Sequence, residues 1–489
     1  MPYATINPYT NELVKNFPDA TDAEVEQAIA KADHAFHSWK KTSFAARAAV
    51  MTKAAFLLRR GKKDYAKILT LEMGKITAEA EAEVELSAQI FEYYAKNAEH
   101  LLQPEHLPVA DPAEGDVTVV HEPLGVLLAI EPWNFPYYQI ARIIAPQLSA
   151  GNTILLKHAS NVPQSADAFE KLMLEAGLPE GGFKNLYATR KQLEQIINDP
   201  RVHGVALTGS EEAGATVAVQ AARALKKSTL ELGGADAFVV LADAEMDKTV
   251  KWAVFGRHWN GGQVCVSSKR MIIVEAVFDD FLKRYTEGVE ALRAGDPSDP
   301  ATTLAPLSSQ AAADGVREKI RQAVAHGAVA LEVGPKVPSK GAFVQPTILT
   351  GITPENPAYY WEFFGPVSMI LRAKDEDEAI AIANDSPFGL GGSVFTADPK
   401  HGAEVAARIS TGMIFVNHPT MVKADIPFGG VRRSGYGREL THLGIKEFGS
   451  PSKNGEGGQK MKESANDLTA QSNRNQWLPG TIYRSHIAS

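Results

Sequence analysis

From Gly125 onward the sequence alternates between short apolar runs and helix-patterned stretches, and this alternation limits the fold more than any other feature. Val126–Ile130 reads as a strand, Tyr137–Ala150 as a helix and Thr153–Leu156 as a strand. Ala166–Ala176 reads as a helix, Gly204–Leu207 as a strand and Glu211–Leu225 as a helix. Such a pattern predicts parallel βαβ units covered on both faces. A second series begins near Ala237, with strands at Phe238–Leu241, Met271–Val274, Met369–Leu371 and Met413–Val416. The expected class is α/β, with two Rossmann-like domains of similar size joined near Glu231–Asp236. A length of 489 residues accommodates them, at roughly 150 residues per domain.

The first hundred residues read as helical. Thr21 and Glu24 form a capping box, and Val25, Ala28, Ile29, Ala32 and Phe36 recur at helical spacing. Further helices are predicted over Phe44–Arg60 and Ala78–Leu102. Leu107–Glu122 is Pro-bearing and acidic and ends in a β-branched run, which predicts a hairpin arm leaving the main domain. The expected division is 1–104 with 124–235 as one domain, 105–123 as the arm, 236–448 as the second domain, and 449–489 as a mobile tail. The tail is rich in Gly, Ser, Asn, Gln and Lys, too polar to offset the cost of ordering. Pro451 and the glycines at 449 and 455 argue against a strand just after Phe448. Trp477–Tyr483 is the apolar segment left in that tail.

Composition excludes several roles. Lys plus Arg is 50 against 58 for Asp plus Glu, so the basic excess of a nucleic-acid binder is missing. One cysteine permits neither an intrachain disulfide nor a cysteine-clustered zinc, and no metal site is expected. The most apolar stretch, Leu124–Leu156, is broken by Glu131, Asn134, Pro136 and Arg142, so it predicts no membrane span. No leader pattern opens the chain, and an intracellular protein, by default cytoplasmic, is the expectation.

Four places carry chemistry. Cys265 follows Asn260-Gly261-Gly262-Gln263-Val264, whose glycines allow backbone to approach a ligand closely, so the thiol is either a small buried hydrophobe or a nucleophile. Glu231 stands between leucines and before Gly233-Gly234, which suits a buried ion pair or a general base with a raised pKa. Asn134, in Pro132-Trp133-Asn134-Phe135-Pro136, sits at a helix entrance as a capping residue or an oxyanion donor. Leu207–Gly214 ends a strand and opens a helix, where Gly209, Ser210 and Gly214 could admit a pyrophosphate; the G-x-G-x-x-G pattern is not found.

Taken together these motifs resemble the NAD(P)-dependent aldehyde dehydrogenase superfamily over about residues 5–448. The matching residues are Pro132–Pro136, Lys157, Gly209-Ser210, Glu231–Gly234, Gly262–Cys265, Glu362–Val367, Pro427–Gly430 and Ser434–Glu439, with Glu231 lying 34 residues before Cys265. The resemblance implies that Cys265 attacks an aldehyde through a thiohemiacetal and a thioester. Asn134 and the Cys265 backbone N–H would hold the oxyanion, and Glu231 would activate the hydrolytic water. It further implies that Trp133, Lys157, Ser160, Gly209, Ser210, Gly214, Glu362 and Phe364 face an NAD(P) cofactor. Ser160, where NAD-preferring members often carry glutamate, implies that NADP is accepted. A homodimer, or a tetramer, built with the arm is the implied assembly.

Leu155–Ala159 and Phe415–His418 resemble the bacterial succinate-semialdehyde dehydrogenase branch. Arg142, eight residues after Asn134 and on one helix face with Tyr138, is the expected anchor for a distal carboxylate; the alternative is a structural ion pair. Trp259 replaces a second arginine that the best-known members carry six residues before the cysteine, and with His418 completes the expected substrate-binding set. Two alternatives stay open: another small or medium aldehyde, or a coenzyme A-acylating semialdehyde dehydrogenase. Glu231, which acyl-transferring members typically lack, favours hydrolysis.

Overall fold

A computed structural model describes residues 2–108, 117–454 and 483–484. Strands β1 (Tyr3–Asn7) and β2 (Glu12–Phe17) form a hairpin, followed by α1 (Asp22–Trp39), α2 (Phe44–Arg60), α3 (Lys62–Met73) and α4 (Thr77–Leu101). Thr21 and Glu24 close the capping box at the head of α1. Next come β3 (Glu105–Leu107), β4 (Val117–Pro123), β5 (Val126–Glu131), α5 (Pro136–Ala150), β6 (Thr153–His158), α6 (Pro163–Ala176) and β7 (Phe183–Asn185). The first unit continues with α7 (Arg190–Asn198), β8 (Val202–Thr208), α8 (Glu211–Arg223) and β9 (Lys227–Glu231).

The second unit holds β10 (Asp236–Val240), α9 (Met246–His258), β11 (Ser268–Val274), α10 (Phe278–Glu290), α11 (Gln310–Ala325), β12 (Val329–Glu332) and β13 (Thr347–Thr350). It ends with β14 (Val367–Ala373), α12 (Glu376–Asn384), β15 (Gly392–Phe395), α13 (Pro399–Ala407) and β16 (Met413–Val416). The last elements are β17 (Gly435–Tyr436), α14 (Thr441–Glu447), β18 (Gly449–Asn454) and β19 (Tyr483–Arg484).

Two sheets organise these elements. One has six strands in the order β17-β9-β8-β5-β6-β7, and β5 to β9 within it run parallel. Residues of α2, α4, α5 and α6 bury one of its faces, and residues of α1, α7 and α8 the other. That double coverage is why its strands read as unbroken apolar runs. The other sheet has eight strands, β12-β13-β14-β11-β10-β15-β16-β19, parallel except for β12. It too has a core on each face. Among the described residues no helix is long and apolar enough to cross a membrane.

Three expectations need correction. The segment 435–448 does not stay with the second unit. Strand β17 pairs antiparallel with β9, and α14 docks on the first unit through Tyr94 O–H to the Thr441 carbonyl (3.1 Å) and Gln147 Nε2 to the Gly444 carbonyl (2.7 Å). Gly435 permits this return at φ 108°, where a Cβ would collide with the Leu230 carbonyl.

A strand does follow Phe448. Strand β18 pairs antiparallel with β4, with Gly449 opposite Pro123 and Asn454 opposite Thr118. Pro451 fits because β18 is the edge of a three-stranded sheet, β18-β4-β3, where a missing N–H can face outward. The tail is therefore not featureless: Tyr483 and Arg484 also lie beside Met413 and Ile414. Residues 109–116 of the arm, and 455–482 and 485–489 of the tail, lie outside the described residues.

Candidate active site

The loop between β5 and α5 carries Asn134. Pro136 opens α5 at a position where a missing N–H costs nothing. The ring nitrogens of His158 lie 3.1 and 3.0 Å from the Glu131 and Pro136 carbonyls, bridging the two ends of the loop. Asn134 is buried; its Nδ2 donates to the Gln263 carbonyl (3.1 Å), and its Oδ1 accepts from Gln139 Nε2 (3.3 Å). An amide has two N–H donors, so one remains for a ligand.

Cys265 is delivered from the other unit. Between α9 and β11 the backbone passes through left-handed conformations at Asn260, Gly261 and Gly262 (φ 54°, 63° and 77°). A Cβ on Gly262 would meet the Gly365 carbonyl, so glycine is required there. Lys269, fully buried, donates through Nζ to the carbonyls of Val264 (2.6 Å) and Cys265 (2.7 Å) and pairs with Glu362 (3.0 Å). Burial pushes the Cys265 thiol up to about 12, while Arg142 and Lys269 pull the other way.

Asn134 and Cys265 meet at a cavity of about 280 Å³ that also brings together Trp133, Gly209, Ser210, Glu362 and Phe364. Of the other lining residues, Pro132, Thr208, Leu232 and Gly233 fall inside motifs read from the sequence, and Gln139 does not. Trp133 and Phe364 stand edge to face, 5.6 Å apart. The cavity opens onto the N-terminus of α8, where Ser210 caps the helix and a Cβ on Gly209 would still face open space apart from Leu207. The Glu362 carboxylate is held by the Gly234 N–H (3.1 Å) and Lys269. A helix N-terminus beside an open glycine, a fixed carboxylate and aromatic walls suit the diphosphate, ribose hydroxyls and ring of a dinucleotide.

Three other expected cofactor residues are not among those that line this cavity. Lys157 stands one residue before the end of β6, beside the Tyr3 ring, and burial lowers its pKa with Arg190 adding a like-charge push. The Ser160 carbonyl accepts the Ala4 N–H (2.9 Å). Gly214 is where α8 rests on Leu232, whose side chain leaves no room for a Cβ.

Thr208 belongs to a buried row. Glu131, Thr208 and Glu231 occupy matching positions at the ends of adjacent strands β5, β8 and β9. Neither Glu131 nor Glu231 gives its carboxylate oxygens a hydrogen-bond partner among the described residues by strict geometry, although the Thr208 hydroxyl lies near Glu131. Burial, reinforced by Glu439, raises both carboxyls well above the usual range. Glu131 was visible in the sequence as a charge ending an apolar strand.

Arg142 has a different partner from the one expected. Its guanidinium pairs with Glu439, donates to Thr208 Oγ1 (2.8 Å) and the Tyr138 hydroxyl (3.2 Å), and is 1% exposed. Burial works against its charge, but Glu439, Tyr138, Glu231 and Glu131 more than hold it protonated. A substrate carboxylate would have to compete with Glu439. Tyr138 is likewise buried as Arg142's neighbour. Trp259 packs on Phe135 and Phe255 (5.0 and 5.8 Å between ring centres). His418 lies on Trp252 (4.2 Å) with Nδ1 against the Pro419 carbonyl and does not line this cavity.

Comparison with known proteins follows the same lines. The profile described as "Aldehyde dehydrogenase family" matches residues 1–452. A succinate-semialdehyde dehydrogenase [NADP(+)] of Deinococcus radiodurans is 48% identical over 447 residues, 91% of this chain and 93% of that protein. A succinate-semialdehyde dehydrogenase [NADP(+)] 1 of Mycobacterium tuberculosis is 44% identical over 92% of this chain and 98% of its own length. The crystal structure of succinic semialdehyde dehydrogenase from Streptococcus pyogenes in complex with NADP+ superposes with a TM-score of 0.91 at 44% identity, covering 93% of this chain and 100% of that one.

Proposed function

This chain belongs to the aldehyde dehydrogenase family, and from that premise we propose that Cys265, Asn134 and Glu231 carry its chemistry, with succinate semialdehyde as substrate. It is an NAD(P)-dependent enzyme that oxidises an aldehyde to a carboxylic acid. The Cys265 thiol, once deprotonated, adds to the aldehyde carbon. The unspent N–H of Asn134 and the Cys265 backbone N–H hold the oxyanion, preorganised donors aimed at the developing charge. A nicotinamide cofactor held by Trp133, Gly209, Ser210, Glu362 and Phe364 would supply the hydride acceptor, and loss of the hydride leaves the acyl group on Cys265 as a thioester. Glu231 takes a proton from the water that hydrolyses it.

One observation carries this reading: the Asn134 amide, with one N–H unspent, lines one cavity with the lone cysteine, and Glu231, a buried carboxylate without a protein partner, stands on the strand position opposite Thr208 of that cavity. The carboxylate also supports hydrolysis over transfer to coenzyme A. Ser160 brings no negative charge to the end of β6, and Lys157 and Arg190 bring two positive ones, which supports use of NADP. We assign the dinucleotide to the first unit and the thiol to the second. A homodimer or larger homo-oligomer, using the sheet of β3, β4 and β18, completes the proposal. A working free thiol suits a reducing compartment, hence the cytoplasm.

Initial rates with succinate semialdehyde and butyraldehyde, each with NADP and NAD, test the proposal. The expected result is at least tenfold higher kcat/KM for succinate semialdehyde, with NADP reduced. Equal values for the two aldehydes would remove the substrate, and failure to reduce NADP would remove the cofactor reading.

A further inference from the structure

Three charges on and beside α4, outside every motif discussed so far, hold the two backbone segments that carry Asn134 and Cys265; Lys75 and Glu83 are buried and Glu79 is half-buried. Helix α5 starts with Pro136, and its N-cap, Phe135, has no side chain to offer. Its first free N–H groups, on Tyr137 and Tyr138, are instead accepted by Glu83 Oε1 at 2.8 and 3.2 Å. Glu83 therefore caps α5 from another helix, and Asn134 lies just upstream of that cap. One turn earlier on the same face of α4, both oxygens of Glu79 accept the Asn260 N–H (3.1 and 3.2 Å). Asn260 in turn donates through Nδ2 to the Asn134 carbonyl (2.9 Å) and begins the left-handed turn that delivers Cys265. Lys75 completes the group: fully buried, it pairs with Glu83 and stands 3.6 Å over the Phe135 ring.

We propose that Lys75, Glu79 and Glu83 form a positioning clamp that sets the Asn134 amide against Cys265, so that one rigid helix fixes the oxyanion site from both sides. The clamp rests on the assignment of Asn134 and Cys265 given above. None of its members lines the cavity, so they act through the two backbone segments they hold. The geometry is demanding because the donor and the nucleophile arrive from different sheets. A displacement of about 1 Å there costs on the order of 10²-fold in rate. The fold supplies its own control. Glu72 caps α6 in the same way, accepting from Gln164 N (2.9 Å) and Ser165 N (2.8 Å), and α6 contributes nothing to the cavity.

The test uses the full-length enzyme and the pre-steady-state burst of NADPH as a measure of acylation. Lys75→Met/Glu83→Leu removes the cap together with its paired cation and leaves Glu79 on the Asn260 N–H; its burst rate should fall about 10²-fold while the aldehyde KM stays within threefold. Lys75→Met/Glu83→Gln restores an acceptor for Tyr137 and Tyr138 and should recover at least tenfold of that loss. Glu72→Leu should lower thermal stability but keep the burst within threefold of wild type. A burst within threefold of wild type in Lys75→Met/Glu83→Leu overturns the clamp, as does a glutamine variant that recovers nothing. If the leucine variant does not fold, Glu79→Leu, which frees only the Asn260 N–H, is read against the same thresholds. Cys265→Ala separates this from the underlying reading. Turnover without the thiol overturns that reading, whereas a thiol-dependent enzyme indifferent to Glu83 and Glu79 overturns the clamp alone.

Discussion

Replacing Arg142 with methionine separates a structural charge from a substrate anchor. Arg142 and Glu439 have side chains 1% and 7% exposed, so their pairing is shielded from water. Removing the cation strands Glu439 beside Glu131 and Glu231, a situation that costs about 3–5 kcal/mol. Two further hydrogen bonds, to Tyr138 and Thr208, go with it. A chain of this size need not unfold in one step, so the unfolding rate in urea is the sounder observable. If most of the loss appears on that limb, at about 1.4 kcal/mol per tenfold, Arg142→Met should unfold roughly 10²- to 10³-fold faster. Arg142→Met/Glu439→Gln removes both charges and should return to within about tenfold of wild type, because a buried pair replaced as a whole is nearly neutral. The kcat/KM ratio of succinate semialdehyde to butyraldehyde should move less than threefold in Arg142→Met. Unchanged unfolding together with a collapsed ratio would refute the reasoning and return the guanidinium to the substrate.

Four other outcomes follow from the geometry. Glu231→Gln should keep a full NADPH burst while steady-state turnover falls at least about 10²-fold, the share a positioned base supplies; wild-type turnover would remove Glu231 as the base. Both acylation and deacylation should speed up as pH rises: burial raises the Glu231 and Cys265 pKa values, the latter to about 12, and each group works deprotonated, so the active fraction grows towards the raised pKa. Stopped-flow bursts between pH 6 and 10 check this, and a rate flat above pH 7 contradicts it. Ser160→Glu should lower kcat/KM for NADP at least about tenfold relative to NAD, since a carboxylate would repel the 2′-phosphate; equal loss with both cofactors counts against that placement. Removing residues 449–489 takes away the partner of the β4 edge, and light scattering should show a smaller assembly than the full chain gives.

The fold was legible where the pattern is long. Apolar runs buried on both faces, alternating with helices, declare a parallel sheet whatever lies between them. The return of 435–448 to the first unit was not legible, because a strand of two residues and a helix of seven carry too little periodicity to reveal a partner. Pro451 misled for a different reason. Proline opposes a strand with neighbours on both sides, but β18 has one neighbour, and whether a strand is central or at an edge is not written in its own residues.

At the site the division falls between backbone and charge. Cys265, Asn134 and Glu231 stand among glycines and prolines, residues that announce unusual backbone and so draw attention to their neighbours. The charges that support them give no such notice. Arg142 could be seen to share a helix face with Tyr138, but its partner Glu439 lies almost three hundred residues later, so the same arginine reads equally well as an anchor or a strut. The start of α4 is starker. Glutamates stand at 79, 81, 83 and 85, chemically identical and evenly spaced. Glu85 pairs with Arg59 near the surface, while Glu83, two residues away, is buried against Lys75 and caps the helix that follows Asn134. Two residues are about 200° of helix rotation, enough to turn a solvated charge into one that holds a catalytic loop. The register that decides between them is set by what α4 packs against, and that information belongs to the assembled fold.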